Sequence, residues 1–112
     1  MARTIVEIPI QVETTVAAQM IGQIMQSNGF HFTDYRGAEQ VWKKGVGVLT
    51  AMQYLRVDYS PQKVMLSAWI QPGLGKAGIG ELDLSGVAAI VPKKALKKVV
   101  NQVTAAFGQP GI

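Results

Sequence analysis

The residues best equipped for chemistry are thinly spread. His31 is the single histidine, set between Phe30 and Phe32, and the seven carboxylates are Glu7, Glu13, Asp34, Glu39, Asp58, Glu81 and Asp83. A lone imidazole works as a general base only beside a positioned nucleophile and an orienting partner, and no neighbouring pattern supplies either. Glu81 and Asp83 share one face of an alternating segment and would make a weak cation site; a solvated strand face is the plainer reading. Cysteine is absent, which removes disulfides and thiolate metal sites. Gly73, Gly75 and Gly78 satisfy GxGxxG, and Gly75-Lys76 matches the end of a phosphate loop. Both patterns fail on context. A dinucleotide loop opens a helix whose free N–H groups face pyrophosphate, whereas this one leads into the alternating Glu81-Leu82-Asp83-Leu84. The phosphate-loop spacing puts Ile70 where its first glycine belongs and Ala77 where Ser or Thr must follow the lysine. The expectation is a protein that is not an enzyme, with no catalytic residue, metal ligand or cofactor.

The elements around these residues are easier to read. Val6, Ile8, Ile10 and Val12 alternate with Glu7, Pro9 and Gln11, which predicts a strand, and Pro9, lacking a backbone donor, places it at a sheet edge. Thr14 or Thr15 is the expected N-cap of a helix whose stripe is Val16, Ala17, Met20, Ile21, Ile24 and Met25, with Asn28-Gly29 closing it and Phe30 packing back. A short strand over Phe30–Tyr35 and a turn at Arg36-Gly37-Ala38 precede a strand at Gln40–Lys44. After the connection GVGVLTAM, strands Gln53–Tyr59 and Val64–Ile70 form a hairpin across Ser60-Pro61-Gln62-Lys63. Gln71–Gly80 is expected to be a mobile hairpin loop, and Glu81–Gly86 a further strand. Pro92 suits a first helical turn, and the final helix is expected over Lys93–Phe107 with Leu96, Val99, Val100, Val103 and Phe107 inward.

This order predicts one α+β domain over residues 1–107 and a flexible tail over 108–112. The sheet is expected to be an antiparallel meander of five to six strands with two helices on one face, in the order β-α-β-β-β-β-β-α. The arrangement resembles helix-grip, START-like folds in miniature, whose larger members enclose apolar ligands between sheet and helix. Tyr35-Arg36-Gly37, Val41-Trp42-Lys43-Lys44-Gly45, Thr50-Ala51-Met52-Gln53-Tyr54 and Pro92-Lys93-Lys94 resemble a group of small uncharacterised bacterial domains, some of which accompany zinc ribbons or membrane segments. That likeness transfers no catalytic residue, and no zinc ribbon is present.

Composition narrows the function classes. Charged residues are 16 % of the chain, against about a quarter in ordinary globular proteins, and the hydrophobic set is 48 %. Some apolar surface therefore needs a cover. With Leu55, Val57, Val64, Leu66 and Ile70 facing the helices, the opposite face is expected to carry Trp42, Tyr54, Met65 and Trp69 around Arg56, an interface or pocket composition. The leading expectation is a noncatalytic binding module that forms a homodimer through that face. A second reading is a carrier holding a small apolar ligand between sheet and C-terminal helix. A third is peripheral contact with an anionic membrane surface or a nucleic-acid backbone through Lys93, Lys94, Lys97 and Lys98, for which solubility is the plainer reading. The net charge of +4 supports only weak attraction to anions, and nucleic acid is not the expected partner. No apolar run approaches the length of a spanning helix and no secretory leader is visible, so the expected location is cytoplasmic.

Overall fold

A computed structural model of the protein describes residues 3–45, 51–71, 81–86 and 90–112. It contains β1 (Thr4–Pro9), α1 (Thr14–Ser27), β2 (His31–Tyr35), β3 (Glu39–Lys44), β4 (Met52–Ser60), β5 (Lys63–Gln71) and α2 (Ile90–Ala106). The five strands form one antiparallel sheet in the order β1-β5-β4-β3-β2. Consecutive strands β2 to β5 make the expected meander, and β1 closes it from the far side. Pro9 accordingly lies on an edge strand, where its missing N–H costs no ladder bond.

Local chemistry sets the turns. At the end of α1, Gly29 takes φ +85°. Its N–H donates to the Gln26 carbonyl and the Phe30 N–H to the Met25 carbonyl, both at 3.0 Å, which satisfies two orphan acceptors and swings Phe30 into the core. The start of α1 differs from expectation: Glu13 is the extended N-cap residue, and no side chain caps the helix. Between β2 and β3, Arg36 and Gly37 both have positive φ, 54° and 71°, as a tight hairpin reversal requires.

One face of the sheet carries Ile8, Leu55, Val64, Leu66, Ala68 and Ile70, which meet Ala17, Ile21 and Met25 of α1 and Leu96, Val99, Val100 and Val103 of α2. Both helices thus cover the same face of the sheet. Burial of each large aliphatic side chain there stabilises the fold by about 1.5–3 kcal/mol before ordering costs.

Two further expectations change. Trp42 pairs with Leu55 and packs on the helix side, where a Cβ at Gly22 of α1 would stand 3.8 Å from its ring; it does not join Tyr54 and Trp69. The segment after residue 80 makes one bridge, Leu82 to Ile70, and no extended strand over 81–86. The tail 108–112 turns back along α2, with the Gln109 N–H donating to the Thr104 carbonyl and the Ile112 N–H to Asn101 Oδ1. The expected glycine-rich hairpin loop over 72–80, the connection over 46–50 and residues 87–89 lie outside the described residues.

Candidate functional site

The sheet face away from the helices has its own small core of Tyr35, Val41, Tyr54 and Trp69. Each arrives by strand alternation on a different strand, and Tyr54 and Trp69 are direct cross-strand partners. The Tyr54 and Trp69 rings stack with centroids 5.4 Å apart, while Tyr35 meets Trp69 edge-on at 5.1 Å and Tyr54 at 4.7 Å. These contacts bury two of the three aromatic residues that were expected to mediate dimerisation, Tyr54 and Trp69. Trp69 is fully enclosed and Tyr54 nearly so. Met65 is half-buried further along β5, and Arg56 keeps about two-fifths of its side chain exposed.

Arg3, just before β1, closes this face. Its guanidinium carbon lies 3.7 Å from the Trp69 ring centroid and 5.8 Å from that of Tyr35. One edge of the group donates from Nε and Nη2 to the two oxygens of Glu81, each at 2.8 Å. The other donates from Nη1 and Nη2 to Glu39 at 2.7 and 2.9 Å. Arg56 adds a 2.6 Å bond to Glu39 and a second, at 3.1 Å, to Asp58. The result is an alternating ion network laid over an aromatic floor.

Its electrostatics follow from the pairing. The Arg3 guanidinium, with Arg56 behind it, holds the Glu39 carboxyl down at about 2. Burial alone would raise the Glu81 carboxyl, but Arg3 and the Tyr35 hydroxyl overcome it and leave it below the usual carboxylate range. Both carboxylates in turn raise Arg3. Burial pushes the Tyr35 and Tyr54 hydroxyls up, and the Glu81 charge adds to the rise at Tyr35. The buried Trp69 Nε1 finds no acceptor among the described residues.

The remaining candidates scatter. Glu81 and Asp83 do not form a joint cation site: Glu81 binds Arg3, while Asp83 accepts from the Ser85 N–H and hydroxyl. Among the described residues no group of three or more metal-ligating side chains gathers. His31 is exposed at the start of β2, paired across the ladder with Lys43. Between the sheet and α2, Leu55, Leu66, Ile70, Leu96, Val100 and Val103 are fully buried in one core cluster. Clefts among the described residues open elsewhere, around Glu7, Pro9, Ser60 and Lys63 and around Met20, Ile24 and Ala106.

The four lysines also divide. Lys93 is buried, and its Nζ donates to the Ser85 carbonyl, so it fastens α2 to the preceding segment and leaves the expected patch. Lys94 and Lys98 are exposed and Lys97 half-exposed. Beside them stand Ile90 and Val91, the latter 75 % exposed. No acidic residue occupies the first turn of α2, and none of these three lysines has an ion-pair partner among the described residues. No helix among the described residues is long and apolar enough to cross a membrane. No protein-family model, curated protein or solved structure matches the chain.

Proposed function

We propose that the chain is a noncatalytic binding module that docks on an anionic lipid surface through the start of α2. The carrying observation is the exposed apolar tip of Ile90 and Val91 beside Lys94, Lys97 and Lys98, three cations without an ion-pair partner among the described residues. Near an anionic leaflet each contributes about 1 kcal/mol, and burying the two aliphatic side chains adds about 1.5–3 kcal/mol each. After the cost of immobilising the protein, that supports weak, reversible attachment. An apolar tip favours lipid over nucleic acid, because a phosphate backbone offers it no apolar phase.

Sedimentation with phosphatidylserine-containing vesicles tests the reading, with phosphatidylcholine vesicles and duplex DNA as separate arms. Expected are binding to the anionic vesicles alone, its decline with salt, and its loss in Lys94→Glu/Lys98→Glu and in Val91→Asp. Equal binding to neutral vesicles, stronger binding to DNA, or indifference to these substitutions would refute it.

Self-association is supported by a different observation. Phe32 is 56 % exposed on β2, an edge strand of the sheet among the described residues, with its ring 5.1 Å from that of Trp42. A dimer through this edge predicts a doubled mass in native mass spectrometry that Phe32→Asp abolishes; a monomer at micromolar concentration contradicts it.

A further inference from the structure

We propose that Tyr35, Tyr54, Trp69, Glu39 and Glu81 form a guanidinium receptor, and that Arg3 fills it in cis. The fit is specific to that chemical group. A guanidinium is planar, with two hydrogen-bonding edges and two faces, and here each of two edges meets both oxygens of a carboxylate while one face lies on an indole. An ammonium has neither the second edge nor the flat face. A point charge would leave carboxylate oxygens unmet in a place where the Glu81 side chain is 1 % exposed.

The walls come from elements other than the occupant's. Tyr35 ends β2, Glu39 begins β3, Tyr54 and Trp69 come from the central strands, and Glu81 immediately precedes Leu82, which bridges Ile70 of β5. Arg3 belongs to the lead-in of an edge strand in which Ile8 alone is buried. Receptor and ligand are therefore different parts of the chain, joined by the β1–β5 ladder, by Ile8 in the core and by a bond from the Leu84 N–H to Thr4 Oγ1. The class of external ligand is thus an arginine side chain on an extended segment lying along the β5 edge, in place of β1. In the intact chain the tethered Arg3 outcompetes any dilute free ligand. This inference does not rest on the lipid-docking reading, which concerns α2.

Chemical rescue of Arg3→Ala tests it, with methylguanidinium as probe and methylammonium at the same ionic strength as control. The receptor predicts a saturable change in tryptophan emission and a Tm increase of about 5 °C at a methylguanidinium concentration tenfold above its dissociation constant. It predicts no response to methylammonium, none in Arg3→Ala/Glu81→Gln, and none in the unaltered chain. Where Arg3→Ala does not fold alone, the same pair of cations is compared for the folded fraction regained on refolding. Equal responses to the two cations, or no response to either by both readouts, overturns the proposal.

Discussion

Glu81→Gln gives the sharpest test of the ion network as a structural element. The substitution keeps the shape of the side chain but removes a charge that is almost wholly enclosed and makes two 2.8 Å bonds to Arg3. Breaking a buried pair by removing one partner costs about 3–5 kcal/mol when the other is stranded. Arg3 is not stranded here, because Glu39 still takes its other edge and an amide oxygen still accepts one bond. The expected loss is therefore about 2 kcal/mol. Arg3→Met strands Glu81 instead, whereas Glu39 keeps Arg56, so its cost is expected nearer about 3–4 kcal/mol. In the double variant no stranded carboxylate remains at residue 81, and the combined loss should fall short of the sum by about 1–2 kcal/mol. Urea unfolding followed by tryptophan emission measures all three, with an unchanged slope confirming that stability alone has moved. Additive losses, or a Glu81→Gln midpoint within about 0.5 kcal/mol of the unaltered chain, would show that Glu81 is effectively solvated and the network dispensable.

Acid should weaken the same network in a defined window. The Glu39 carboxyl falls from an ordinary value of 4.5 to about 2 in the folded state, so its contribution is complete above about 4.5 and disappears as pH drops towards 2. Screening at this partly exposed side chain trims that contribution to about 1–2 kcal/mol, and Tm curves of the unaltered chain and Glu39→Gln should converge at the acid end; parallel curves would refute the linkage. Two glycines should respond with opposite signs in the same unfolding assay. Gly22→Ala places its methyl in ordinary contact with Trp42 and gains helix propensity, raising stability by about 0.5–1 kcal/mol. Gly29→Ala meets no closer atom than 3.5 Å but holds φ +85°, and should lose about 1 kcal/mol.

Strand alternation, the Asn28-Gly29 stop and Pro92 were enough to read the two-layer order, because each is a local signal. Faces were not always legible. Val41 and Trp42 alternate, but which of them joins Tyr54 depends on the β3–β4 register, and a one-residue slip reverses every side chain of a strand. The pairing of Trp42 with Leu55 fixes it after a connection whose sequence carries no tight-turn signature. The burial of Lys93 did have a signal. Lys93, Leu96, Val100, Val103 and Phe107 share one helical stripe at spacings of three and four, so the lysine belongs to the inward face despite its charge. The Arg3–Glu39–Glu81 cluster had none. Its members lie 36 and 78 positions from Arg3, and only the folded sheet brings them together.

The strand order also constrains the sequence of events by which the chain folds. β2 to β5 pair with neighbours in the chain and can assemble by short loop closures, but β1 must wait for β5, made some 60 residues later. Until then the β5 edge presents open backbone donors and acceptors, and the aromatic floor lies without its cation. The earliest-made of these five strands is thus the one whose partner comes last, and Arg3 is the bolt that fixes it there.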